Sequence, residues 1–479
     1  MQKSSLNYIA RVLCLVAFVA GSWAVLFKYY HLLFYDWDLA FFSQAAWNLC
    51  HGSQFTSLVG INYFGDHSYY ITFLILPLFA LFPSPVTLLL LKVAAFVLSA
   101  YLFYRIIRED HEGWVSLVLL VLYLVFPANI FSLLYEFNPE SLAPVFLFLV
   151  YDFFRKEKYK AFLIVSLFLC LIKENMLLVI FMFGFYALLT KKSARFRWGW
   201  LTMLVSGGIF SALVFVVIPF FRQMHQHAFW VRYQHIWEHP LYFFSKVVTV
   251  NAGYVGDLFG ALILPIVLAP QNLLFSAPIF AQHIFSNQFA EHSIYYHYGS
   301  ALTPYMFLAA STGLSRASQL LSGKAYKTFV ILLVLLSVGH AFYFLPAMKA
   351  RFIVHKDNLD TVRWRMINQI PKDKGVIATF NFLAPLSMRK SLYSFHMTFD
   401  EAFQDSSYMK RSELTKDQPF QLPDDAAYAL IDTEDLFFVR ALKDQPELTA
   451  KRFDAFMKEW VIQERQGSIL LLRRQTEPN

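Results

Sequence analysis

Leu167-Phe168-Leu169-Cys170-Leu171-Ile172-Lys173-Glu174-Asn175-Met176-Leu177-Leu178 sets three consecutive polar residues in the middle of an apolar run over 161–190. Its reading decides how often the chain crosses a membrane, and so which side each loop occupies. As one helix, the run would put Arg155/Lys156/Lys158/Lys160 and Lys191/Lys192/Arg195/Arg197 on opposite sides, although basic loops gather on the cytoplasmic side. As two short helices turning at Lys173-Glu174-Asn175, it keeps both clusters inside. Irregular backbone at membrane depth is tolerated only against protein or a water-filled cavity. The sequence therefore predicts a helical hairpin whose polar tip faces such a cavity.

The rest of the chain agrees with a membrane setting. Of 479 residues, 57% are hydrophobic and only 15% charged, against roughly a quarter charged in a soluble domain. The net charge of +8 does not point to nucleic acid. Residues 1–348 hold 21 Lys and Arg against 14 Asp and Glu, whereas 349–479 hold 20 against 19, so the excess lies where it orients a membrane protein. Cys14, Cys50 and Cys170 are scattered and suggest neither a disulfide framework nor a zinc site. The reading is a mainly α, polytopic α-helical membrane protein with about 11 spans, near 11–30, 86–106, 114–133, 141–154, 161–173, 175–190, 198–218, 254–269, 271–285, 301–315 and 328–346. The first run is read as a retained signal anchor with a cytoplasmic N-terminus. The protein is expected in the cytoplasmic (inner) membrane of the cell envelope.

In this topology the acids collect on the outer side: Asp36, Asp38, Asp66, Glu136, Glu140, Glu174, Glu238, Asp257 and Glu291. Outer loops are poor in bases, so some of these are plain loop residues. Glu174 and the Glu136–Glu140 turn lie in or against apolar runs, where a carboxylate is costly and usually has a partner or a task. The loop 31–85 opens with Asp36-Trp37-Asp38, at the exit of the first span. Either acid alternatively caps the helix that follows. His67 is a base or ligand, or a loop histidine bonded to backbone. Lys173 and Glu174 neutralise each other, or Lys173 binds a phosphate that Glu174 helps it meet. Arg222 and Arg232 are further cations for a phosphate. His225 and His227 between them would diverge on a helix.

Beyond residue 348 the composition changes. Strand-length apolar runs at 375–379 and 427–432, a hairpin pattern at 460–473, and helical stretches at 360–369 and 448–458 make 349–479 a small α/β domain. An odd span count places it outside the cell. The remainder, 1–348, is the membrane domain.

Several stretches resemble the DUF2079 family of bacterial and archaeal membrane proteins, itself similar to the GT-C glycosyltransferases. They are Asp38-Leu39-Ala40-Phe41-Phe42-Ser43-Gln44-Ala45-Ala46-Trp47-Asn48, with Gly52 and Ser57 after it, then Gly65-Asp66-His67, Tyr135-Glu136-Phe137-Asn138-Pro139-Glu140, Lys173-Glu174-Asn175, His297-Tyr298 ahead of Pro304, and Asn381–Arg389. Asn138 stands where the family usually has His. Counting back from Trp47-Asn48, the family acid falls on Asp38 rather than Asp36. The resemblance implies a GT-C-like membrane domain that moves a sugar from a polyprenyl-phosphate donor to a glycan, lipid or protein acceptor on the outer face.

Such chemistry needs a carboxylate as general base or metal ligand, a cation for the leaving phosphate, and an apolar groove for the prenyl chain. The expected catalytic residues are Asp38, Asp36, His67 and Glu140. The expected substrate-binding residues are Lys173, Glu174, Gln44, Trp47, Asn48, Glu136, Asn138, Arg222, Arg232, His297 and Tyr298. Asp38 is also the expected ligand of a divalent cation, Mg or Mn. No Gly-rich phosphate loop or Gly-x-Ser-x-Gly elbow is present, which removes support for a nucleotide-sugar donor. The alternative is a transporter or flippase, whose polar groups would gather near the midplane of repeated halves.

Overall fold

In the computed structural model the hairpin is two helices, Tyr159–Cys170 and Met176–Thr190. Residues 171–175 turn between them, with Met176 N bonded to Lys173 O at 3.1 Å and Leu177 N to Glu174 O at 3.1 Å. The structure describes residues 3–191, 194–223, 232–353, 359–396, 422–444 and 446–475. The His225 and His227 positions lie outside these.

Among the described residues, five helices are long and apolar enough to cross a membrane: Ser5–Tyr30, Pro85–Ile107, Arg195–Arg222, Thr249–Ile266 and Gly323–Ala350. A sixth forms if Gly113–Val125 and Pro127–Leu134, bent by 44°, are one span. The bend has a local cause: Phe126 is extended and Pro127 lacks the N–H that would continue the ladder. These six correspond to six of the eleven expected spans. The other five, near 141–154, 161–173, 175–190, 271–285 and 301–315, fall on helices or helix pieces outside those six. Their apolar runs are cut by Pro, Gly and polar residues, so length and composition alone support five or six crossings. Helix Gly323–Ala350 shows what surrounds it: Ile331, Leu335, Phe342 and Tyr343 are 58–74% exposed while only a thin stripe is buried. A helix apolar on its outer face requires an apolar solvent.

The chain divides into two compact units. The first comprises residues 1–25, 67–72 and 89–351. Its core is aromatic: Phe183 stacks on Phe275 with ring centres 4.0 Å apart, and Phe154, Phe162, Trp198 and Tyr305 pack around them. Helix Thr303–Leu320 approaches the 263–266 turn so closely that a Cβ on Gly313 would lie 1.8 Å from Pro265 O. Only glycine fits there.

The second unit comprises residues 26–66, 73–88 and 352–479. The C-terminal part is therefore not a free-standing appendage beginning at 349, because most of loop 31–85 folds with it. Helix Asp38–Cys50 precedes a two-stranded ribbon, β1 (Phe55–Thr56) with β2 (Ile61–Asn62). The C-terminal sheet is built of β3 (Gly375–Ala378), β4 (Leu392–Ser394), β5 (Ala426–Asp432), β6 (Trp460–Gln466) and β7 (Ile469–Arg474). Their order is β4-β3-β5-β7-β6, with β3 parallel to β4 and β5, and β7 antiparallel to β5 and β6. Gly467, at φ +59°, makes the tight β6–β7 turn. The apolar runs at 375–379 and 427–432 are the two central parallel strands, buried on both faces as such strands must be. Ile377, Phe395, Ile431, Phe438, Phe456, Trp460 and Leu472 form this unit's core.

Candidate functional site

The polar tip of the hairpin is a site built from ion pairs. Lys173 Nζ is paired with Glu140, both almost wholly buried. Beside it Glu174 Oε1 lies 2.6 Å from His67 Nδ1, and Glu174 Oε2 accepts from Ser68 N at 3.1 Å and Ser68 Oγ at 3.3 Å. Ile71 N donates to Leu171 O at 2.6 Å, which ties the His67–Thr72 segment to the hairpin turn. Glu140 is held from its own side: Asn138 caps the turn Pro139–Leu142 by accepting from Glu140 N at 3.1 Å. Asn138 thus has a local structural task where the family usually has His.

A second pair, Arg232 with Glu291, belongs to the same cluster. Lys173 and Arg232 lie within electrostatic reach of each other, and His283 feels Glu291, Glu140 and Lys173 together. His297 rests against Tyr298 with ring centres 4.2 Å apart and against Tyr135 at 5.5 Å. Burial pushes the His297 imidazole down to about 3, so it is neutral at ordinary pH. Burial alone would raise the Glu140 carboxyl. The charge and hydrogen bond of Lys173 offset this and hold it below the usual carboxylate range. Glu140 is therefore a carboxylate paired with the Lys173 ammonium.

His67, Glu140, Lys173, Glu174, Arg232, His297 and Tyr298 thus meet in one unit. Glu136 is buried nearby, where Lys92 Nζ donates to the Tyr135 and Glu136 carbonyls at 2.5 and 3.5 Å. Arg222 is buried at the end of helix Ile218–Arg222. The sequence reading missed the site role of Glu291, His283, Ser68 and Lys92. Glu291 follows the apolar run 271–285 and has the outer-side signature of the other acids, but only the fold pairs it with Arg232.

Asp36, Asp38, Gln44, Trp47 and Asn48 belong to the second unit. Two of them are committed to the fold. Gln44 is fully buried; its Nε2 donates to Ser57 Oγ (2.8 Å) and to the Lys390 and Arg389 carbonyls (3.2 and 3.3 Å), and its Oε1 accepts from Leu58 N (3.2 Å). Ser57 Oγ completes the clamp, donating to Lys390 O and Leu392 O and accepting from Leu392 N. Asn48 Nδ2 donates to Phe55 O at 2.8 Å and fixes the ribbon. With their amides used this way, Gln44 and Asn48 hold structure and are not placed to hold substrate. Trp47 stacks on His51 at 3.9 Å, and Asp36 Oδ1 accepts from Trp37 N at 2.9 Å. Asp38 is the first residue of its helix, and the N-cap, Trp37, makes no side-chain cap bond. An acid in the first turn suits the helix dipole. Among the described residues, no group of three or more His, Cys, Asp or Glu side chains is placed to hold a metal ion. The expected divalent cation thus has no ligand set there.

The sequence over residues 28–419 matches the family described as "Predicted membrane protein (DUF2079)". The chain belongs to this family. No curated protein matches it. Among solved structures it is similar to ArnT from Cupriavidus metallidurans bound to undecaprenyl phosphate, with a TM-score of 0.60 at 12% identity over 99% of each chain. The apo form of the same protein gives 0.56 at 12% identity, over 97% of this chain and 98% of that one. This DUF2079 protein therefore has a fold similar to that of ArnT. Its residues differ enough that the fold alone carries over.

Proposed function

We propose that this protein is a GT-C-like glycosyltransferase that moves a sugar from a polyprenyl-phosphate donor to an acceptor on the outer face of the inner membrane. The observation that carries the reading is the Lys173–Glu140 pair, buried at a polar hairpin tip with Arg232 in electrostatic reach. A buried lysine with one carboxylate partner is a point charge suited to a phosphate. The likeness to a structure holding undecaprenyl phosphate supplies the class of phosphate.

In the reaction an acceptor hydroxyl attacks the anomeric carbon of the donor. A new C–O bond forms while the bond to the phosphate oxygen breaks, and the polyprenyl phosphate leaves with the electron pair. Lys173 stabilises the charge that grows on the leaving phosphate, an interaction strongest in the transition state. The hydroxyl proton passes to a carboxylate. Asp38 is assigned that role on the family pattern, with Asp36 assisting it, and no step is routed through a metal ion. Eleven crossings, a cytoplasmic N-terminus and an outer C-terminal domain complete the proposal. They follow from the charge asymmetry of the loops.

The test is reconstitution in proteoliposomes with a polyprenyl-phosphate-linked sugar, followed by mass spectrometry of the lipid. The reading expects release of bare polyprenyl phosphate together with a glycosylated product, and loss of both in Asp38→Asn. Accumulation of intact substrate inside the vesicles with no covalent product would make the protein a transporter instead.

A further inference from the structure

The Arg232–Glu291 pair differs from its neighbours in one respect. Glu174 uses both carboxylate oxygens, on His67 and Ser68, while Glu140 and Glu291 each use Oε1 alone, on Lys173 and Arg232; the difference lies in the second oxygen of Glu291. Its Oε2 is buried and has no hydrogen-bond partner among the described residues. The residue itself is only 6% exposed. A buried carboxyl oxygen without a hydrogen-bond partner is costly, and native structures usually supply one. Among the described residues none meets it, at a place otherwise built with care. Asn287 N donates to Arg232 O at 2.9 Å, and Glu291 N to Gln288 O at 3.1 Å, which fix the two partners' backbones. His283 and Tyr254, bonded to each other at 2.8 Å, are both buried and both feel the Glu291 charge.

Resting on the reading above, we infer that Glu291, with Arg232 and the His283–Tyr254 pair, forms a subsite for a hydroxyl group of a neutral sugar, adjoining the Lys173 phosphate site. The hydroxyl donates to Glu291 Oε2 and accepts from a neighbouring N–H or O–H. Charge selects hydroxyl over ammonium. The three carboxylates of the cluster, Glu140, Glu174 and Glu291, already face three basic partners, Lys173, His67 and Arg232. A protonated amino sugar would bring a second cation beside the Arg232 guanidinium, and like charges repel. A hydroxyl is neutral and both donates and accepts, which suits a carboxylate oxygen set among a guanidinium, an imidazole and a phenol.

The experiment uses the full chain in nanodiscs and native mass spectrometry to measure dissociation constants. Three probes are compared: undecaprenyl phosphate, the same lipid carrying a neutral sugar, and the same lipid carrying that sugar with one hydroxyl replaced by an amine. The wild type should bind the neutral-sugar lipid at least tenfold more tightly than bare undecaprenyl phosphate, and no less tightly than the amino-sugar lipid. Glu291→Gln should remove most of that tenfold gain and leave bare-lipid binding within twofold, and Glu291→Asp should restore part of it. A folding defect would lower binding of all three probes, which the bare-lipid arm reads directly. Equal loss for every probe, no loss in Glu291→Gln, or tighter binding of the amino-sugar lipid would each overturn the subsite. Absence of any wild-type binding to bare undecaprenyl phosphate would overturn the function reading itself, and the subsite with it.

Discussion

Two buried polar clusters in this protein are built from different residue types and differ in how they are satisfied. In the first unit, Lys173, Glu140, Glu174, His67, Arg232 and Glu291 pair charge with charge. In the second, Gln44 and Ser57 pair neutral side chains with backbone carbonyls of 389–392. Both clusters are buried, and both fall on motifs of the family. The Gln44 clamp is saturated and joins the first-loop helix to strand β4, so it specifies a fold. The charged cluster keeps ion pairs in a costly place and, among the described residues, leaves Glu291 Oε2 without a hydrogen-bond partner, which is why the proposal places a ligand there.

The strongest way to break this contrast is Lys173→Met. It leaves Glu140 buried without its counter-ion, which should cost about 3–5 kcal/mol. Thermal unfolding in detergent measures the loss, and Glu140→Gln added to the same chain should recover much of it. Gln44→Leu tests the other cluster. Removing one amide from a saturated buried network should cost about 2–3 kcal/mol, while the protein that remains folded should still bind undecaprenyl phosphate. If that variant lost lipid binding at full occupancy of the fold, Gln44 would belong with the substrate residues after all.

A smaller effect comes from pH. His297, held at about 3 in the folded protein, takes up a proton at about 6.5 once unfolded. The unfolded state therefore binds more protons between pH 6.5 and 3, and stability falls as pH falls through that window. At pH 5 the loss is on the order of 2 kcal/mol relative to pH 8. Glu140, also held low, adds to the fall only below its ordinary value near 4.5. Unfolding measured from pH 8 to pH 5 should therefore flatten in His297→Gln. A slope unchanged by that substitution would remove the imidazole as its cause. Smallest of all is Asp38→Asn, a half-exposed acid in the first turn of a helix, which should shift stability by less than about 1 kcal/mol. Its effect belongs to sugar transfer, where the proposal expects loss of turnover.

Much of this was legible in the residues. Charge clusters on either side of 161–190 forced a hairpin, and the hairpin is there. The apolar runs at 375–379 and 427–432 announced buried strands, and the fold adds that they pair in parallel. Helix Asp360–Gln369 and the β6–β7 hairpin follow from period and from Gly467. The meeting of Glu140, Lys173, Glu174 and His67 was readable as a shared face because intramembrane charge seldom stands alone. What composition could not show was pairing across long separations. Nothing near Arg232 in the chain names Glu291 as its partner, and nothing near Gln44 names Lys390. Gln44, Asn48 and Asn138 looked like substrate residues because amides serve backbone and ligand alike, and only geometry separates the two uses. The eleven expected spans outnumber the five or six helices that qualify by length and composition, because short apolar runs broken by Pro and Gly count as spans on hydropathy but form short helices in the fold.

The central claim is that Lys173 sits ready for a polyprenyl phosphate. Its most direct test is native mass spectrometry of undecaprenyl phosphate bound to the wild type, to Lys173→Met with Glu140→Gln, and to Gln44→Leu. The account predicts saturable binding to the wild type and to Gln44→Leu, and at least tenfold weaker binding to the double variant that lacks the cation but keeps its fold. Undiminished binding in that double variant would contradict it.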